Sequence, residues 1–109
     1  MAIFQKTFTE DFDSLLFRVE YAVLNGSSTA TLEEKADYRT AQGRCSIRVF
    51  ERYSLTGANR VSMSVTLFQA GPEVELCAIT SAGSHALFFK LNTLGEDFFL
   101  ETLTEKLDK

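Results

Sequence analysis

Val74-Glu75-Leu76-Cys77-Ala78-Ile79-Thr80-Ser81-Ala82-Gly83-Ser84-His85-Ala86-Leu87-Phe88-Phe89-Lys90-Leu91 is the stretch on which the fold of this chain turns. Val74, Leu76 and Ala78 alternate with Cys77 and Ile79, and Leu87 and Phe89 alternate with Ala86 and Phe88. A half-solvated strand keeps every second position polar, so strands apolar on both sides expect cover on both. The rest of the chain offers helices for one side only. A second subunit or an apolar ligand is the expected cover for the other.

Upstream lie two further strands joined by a turn. Residues 60–69 alternate with Val61, Met63, Val65 and Leu67 on the inner side, and Ala70-Gly71-Pro72-Glu73 turns the chain into the quoted stretch. Residues 44–55 place Cys45, Ile47, Val49, Tyr53 and Leu55 on one side, against Arg44, Ser46, Arg48 and Arg52 on the other. Gly57-Ala58-Asn59 predicts a three-residue hairpin loop with Asn in the left-handed position. That register sets Tyr53 opposite Met63, Glu51 opposite Val65 and Val49 opposite Leu67. Residues 29–40 alternate weakly and carry many charges, as an edge strand does. Residues 2–8 are short and Phe-rich, and read as one more strand.

Two helices complete the order. Phe12, Leu15, Leu16, Val19 and Val23 recur at helical spacing over about 10–24, with Phe17, Tyr21 and Leu24 widening the stripe. Thr9 is the expected N-cap and Asn25-Gly26 the expected left-handed stop. A second helix begins near Thr93, where Thr93 and Glu96 have capping-box spacing, and presents Phe99, Leu100, Leu103 and Leu107. The reading is an α+β fold, an antiparallel β-sheet of five to six strands in the order β-α-β-β-β-β-(β)-α. Both amphipathic helices pack on one face, against Ile47, Val49, Val61, Met63, Val65 and Leu67. The length of 109 residues fits one domain, residues 1–109.

By parity the other face carries Arg48, Phe50 and Arg52, then Ser62, Ser64, Thr66 and Phe68, then Cys77, Ile79, Leu87 and Phe89. Phe50, Phe68, Cys77, Ile79, Leu87 and Phe89 form the predicted interface patch. A one-residue slip in any strand would exchange its faces. An apolar patch of a few hundred Å² marks a partner or ligand site, and an isologous homodimer buries both copies at once.

Composition narrows the function classes. The chain is 45% hydrophobic and 24% charged, with 10 Phe and no Trp, as expected for a folded domain rich in purely apolar rings. Its net charge of −4 repels phosphate backbones, so nucleic acid is not an expected partner. Apolar runs are too short for a membrane span, and Met-Ala-Ile-Phe-Gln-Lys lacks the pattern of a signal peptide, so the cytoplasm is the expected compartment. Cys45 and Cys77 lack CxxC spacing and read as small buried hydrophobes rather than zinc ligands. No cofactor motif occurs, and none is expected.

Four residues remain as candidates for chemistry. Glu51 is expected on the helix side, where a carboxylate needs Arg60 or Lys90 as a partner, a bulge that lets it reach water, or a role as general acid or base. His85 is the only histidine. It follows Ser84 directly, and adjacent strand residues point to opposite faces, so the two are not a catalytic pair. Arg48 and Arg52 share one face and form the best candidate anion site, for a carboxylate or phosphate ligand.

Phe50-Glu51-Arg52-Tyr53, Asn59-Arg60-Val61-Ser62-Met63-Ser64-Val65 and Ala78-Ile79-Thr80-Ser81-Ala82-Gly83-Ser84 resemble the central part of a family of small, uncharacterised bacterial proteins. That resemblance implies a bacterial single-domain protein of unknown function and transfers no catalytic residue. The element order is similar to TATA-binding-protein-like and helix-grip folds, whose members hold DNA, lipids or nothing known. The DNA-binding members carry basic sheet faces, whereas Phe50, Phe68 and Phe89 are expected on this one. The expectation is a non-enzymatic cytoplasmic domain that self-associates through its apolar sheet face. The alternatives are a binder of a small apolar or anionic ligand, and an enzyme using Glu51, His85 or both.

Overall fold

The computed structural model describes residues 2–53, 60–82 and 99–107. Five strands and one helix run in the order β1 (Ala2–Phe8), α1 (Phe12–Gly26), β2 (Thr31–Thr40), β3 (Gly43–Tyr53), β4 (Arg60–Gln69) and β5 (Val74–Ala82). Residues 99–107 form a second helix, α2. The strands make one antiparallel sheet in the order β1-β5-β4-β3-β2. The α+β class, the antiparallel sheet and the two helices are as the sequence predicts. The expected strand at 85–91, the loop at 57–59 and the Thr93–Glu96 cap lie outside the described residues.

The sheet order explains the position of α1. β1 and β2 are neighbours in sequence but stand at opposite edges, so the helix between them must cross the whole sheet. Fifteen helical residues span about 22 Å, close to the roughly 19 Å between the outer strands of a five-stranded sheet. Phe12, Leu15, Val19, Ala22 and Val23 turn inward from α1, and Phe99, Leu103 and Leu107 from α2. They meet Phe50, Val61, Met63, Val65, Leu67, Leu76 and Ala78 in one core, so both helices cover the same face.

The ends of α1 differ from expectation. Asp11, not Thr9, is the N-cap: its carboxylate accepts a hydrogen bond from Ser14 N at 3.0 Å. Gly26 is the last helical residue and not a left-handed stop, for Gly71 in the β4–β5 turn is the only described residue with positive φ, at 142°. Gly26 is needed for space instead. A Cβ there would lie 2.7 Å from Thr102 Cβ, so its absence lets α1 and α2 approach.

The faces of β4 and β5 are as predicted, but β3 is turned over. Tyr53 pairs with Arg60, Glu51 with Ser62 and Val49 with Ser64. This register is three residues away from the one a three-residue loop would give, because six residues (54–59) separate the paired ends. Three is odd, and an odd slip moves every side chain of a strand to the other face. Ser46, Arg48 and Phe50 are therefore buried under the helices, at 1%, 5% and 0% exposure. Ile47 and Val49 point the other way. The predicted helix-side places of Ile47, Val49 and Glu51, and the open-face places of Phe50, Arg48 and Arg52, are all corrected by this one shift.

Candidate functional site

The open face is the side of the sheet without helical cover among the described residues. Cross-strand register lays it out in rows. The first runs Ile3, Ile79, Ser64, Val49, Glu34 from β1 to β2. The second runs Gln5, Cys77, Thr66, Ile47, Ala36, and the third Thr7, Glu75, Phe68, Cys45, Tyr38. Tyr38, Ile3, Phe68 and Ile79 stand 61%, 59%, 49% and 38% exposed, which is unusual for apolar side chains of this size on one surface. Phe68, Cys77 and Ile79 thus lie on the face expected of them, and Leu87 and Phe89 fall outside the described residues. Ile3 was not foreseen, because a short strand at the chain start shows too few residues to assign its faces.

The two ends of the face differ in chemistry. Near Thr31 and Ser81 it is polar: the hydroxyls of Ser62 and Ser81 lie 3.0 Å apart, and Glu51 pairs with Arg60 at 2.5 Å. Arg60 is the partner named for Glu51 from the sequence, but the pair sits on the open face rather than under the helices. At the opposite end, Tyr38, Gly43, Cys45, Phe68 and Ala70 enclose a mostly apolar open hollow of about 260 Å³. His85 lies outside the described residues.

On the helix side, Arg48 joins three elements. Its Nε donates to Glu20 of α1 at 2.7 Å, and its terminal nitrogens reach Asp37 of β2 at 3.1 and 3.5 Å. It also donates to the Ile47 carbonyl at 3.0 Å. Ser46 Oγ donates to the same Asp37 carboxylate at 2.6 Å. That hydroxyl, together with the Arg48 guanidinium, holds the Asp37 carboxyl below its usual range. Burial alone would lower the Arg48 pKa, but its bonds to Glu20 and Asp37 outweigh this and raise it. Glu20 and Asp37 escaped the sequence reading, since nothing in their spacing points to an arginine on the neighbouring strand or on the sheet beneath the helix. Arg52 lies on the same side with its guanidinium carbon 4.9 Å from the Phe99 ring centre, and burial lowers its pKa. The two arginines expected to form an anion site are therefore held apart from the open face. Arg48 is committed to two carboxylates of its own chain.

Among the described residues no group of three metal-ligating side chains occurs, and no helix is long and apolar enough to cross a membrane. Both cysteines are free and half-buried.

The fold and its surface define a class: a small α+β domain with helices on one side of an antiparallel sheet and, among the described residues, an open face of mixed polar and exposed apolar side chains on the other. Within that class the chain belongs to a family of unknown function, DUF6054, which it matches over residues 1–109. No curated protein matches it.

Proposed function

We propose that this domain is a non-enzymatic self-association module whose open sheet face binds a second copy of the chain. The observation that supports the reading is the set of apolar side chains Ile3, Ile79, Val49, Ile47, Phe68 and Tyr38 on the side of the sheet that no described helix covers. Five strands about 4.8 Å apart and four rows about 6.8 Å apart give a face of about 600 Å². Two such faces in contact bury about 1,200 Å², the lower end of the range for stable interfaces. The charges on the polar end, Glu51 and Arg60, already neutralise each other. Glu34 and Glu75 also stand on this face, beside Val49 and Phe68, and the apolar side chains between them are what a second copy would cover.

Light scattering on the purified chain at micromolar concentration tests the reading. The expected result is a dimer that Phe68→Asp or Ile79→Asp converts to a monomer with an unchanged far-ultraviolet circular dichroism spectrum. A wild-type monomer at these concentrations would sink it. The hollow beside Phe68 supports a second reading, an apolar small-molecule site. In that case aromatic or acyl compounds would raise the melting temperature of a monomeric wild-type protein but not that of Phe68→Asp.

A further inference from the structure

The open face is not flat in detail, and its relief fixes where a second copy would sit. On β4 the outward residues Ser62, Ser64 and Thr66 are small, so the middle strand is a groove. On the adjacent β3, Val49 and Ile47 stand as a ridge, directly beside Ser64 and Thr66. At the end of the groove Phe68 projects at 49% exposure, and beside it is the hollow over Cys45 of β3, walled on its far side by Tyr38 of β2. Ridge and groove are neighbours on β3 and β4, and so are hollow and knob. A surface that carries both members of each pair is complementary to itself under a two-fold rotation.

Resting on the dimer reading above, we infer that the two-fold axis runs parallel to the strands, between β3 and β4. Such an axis keeps each row in register and exchanges the two strands. Val49 and Ile47 of each copy then enter the groove at Ser64 and Thr66 of the other, and Phe68 enters the hollow at Cys45. Sheets stacked about 10 Å apart with nearly aligned strands allow this interdigitation. An axis over β4 would instead set groove on groove and leave a void along the centre. The one-strand offset keeps four of the five strands in contact and still buries about 1,000 Å².

The axis is tested with two variants that work only across the interface. Ser64→Leu fills the groove and is expected to give a folded monomer. Val49→Ala trims the ridge and is expected to give a dimer. Mixed in equal amounts, the two chains are expected to form a heterodimer. In that species the leucine side chain introduced into the groove faces the trimmed ridge, and the native ridge faces the native groove. Native mass spectrometry reads all three species, and circular dichroism confirms that each variant is folded. A Ser64→Leu protein that stays dimeric, or a mixture with no heterodimer, overturns the axis. If wild type is a dimer that Phe68→Asp dissociates, those results leave the self-association reading standing. If wild type is a monomer, both fall. Should Ser64→Leu fail to fold, Thr66→Leu mixed with Ile47→Ala makes the same test one row away.

Discussion

Arg48 and Arg52 lie on one strand face, four positions apart in the chain, yet their surroundings give opposite expectations. Arg48 is 5% exposed and bonded to two carboxylates and a carbonyl, so removing it leaves Glu20 and Asp37 without their cation. Both carboxylates reach water in part, which limits the cost, and lost packing of the arginine stem adds to it. Arg48→Ala is expected to lower stability by about 2 kcal/mol in urea unfolding. Arg52 Nε is buried and has no hydrogen-bond partner among the described residues, and the guanidinium lies over the Phe99 ring. Arg52→Met is expected to stay within about 1 kcal/mol of wild type in the same measurement, because an apolar side chain removes an unpaired donor. Equal losses at both positions would contradict the assignment of Arg48 as the clasp. Asp37 adds a pH dependence to that clasp. Its carboxyl, held down by Ser46 and Arg48, is depressed in the folded state. Its contribution is therefore complete above the unfolded carboxylate's pKa of about 4 and is lost as pH falls through the folded value. Unfolding midpoints measured from pH 7 down to 2 are expected to fall less steeply below pH 4 in Asp37→Asn than in wild type.

At the scale of elements, α1 shows what a helix sequence reveals and what it hides. Its buried stripe was legible, because Phe12, Leu15, Val19 and Val23 keep helical spacing whatever they pack against. The reason for Gly26 was not, because it lies in α2, 76 positions along the chain at Thr102. Gly26→Ala improves intrinsic helix propensity by about 1 kcal/mol, yet the added methyl meets the stiff Thr102 Cβ. The clash is expected to win, with a net loss of about 1–2 kcal/mol by thermal unfolding; a gain would show that the helices can separate freely. The strands divide in the same way. β4 alternates apolar with small polar residues over most of its length, and the turn at 70–73 carries that parity to β5, so both faces could be assigned from sequence. β3 alternates Ser46, Arg48 and Phe50 with Cys45, Ile47 and Val49, and the apolar set is the one that faces outward. Parity separates the two sets but cannot say which is inside. The length of the connection decides that: Gly57-Ala58-Asn59 reads as a three-residue loop, whereas six residues, 54–59, separate the paired ends. The site suffered accordingly: Phe68, Cys77 and Ile79 were placed, while Phe50, Arg48 and Arg52 were assigned to the wrong side.

For the whole molecule, the question is how a domain with this much exposed apolar surface avoids open-ended aggregation. The β2 edge is protected by Glu33, Glu34, Lys35, Asp37 and Arg39, and by a register irregularity between Leu32 and Glu34. Charges and bulges of this kind discourage strand-to-strand addition. Face-to-face contact is then the favoured association, and a two-fold contact closes on itself after two copies. Closure has a thermodynamic signature. If the dimer is the folded species, each tenfold rise in chain concentration adds about 1.4 kcal/mol per dimer to the folded side. Shared between two chains of this size, that amounts to a rise of roughly 3–5 °C in melting temperature. Wild type is expected to show this rise in scanning calorimetry across two decades of concentration, with no growth of larger species by light scattering. Phe68→Asp, which places a carboxylate at the knob, is expected to melt at one temperature throughout. A wild-type melting temperature independent of concentration would mean that the open face is not covered by a second copy when the chain unfolds.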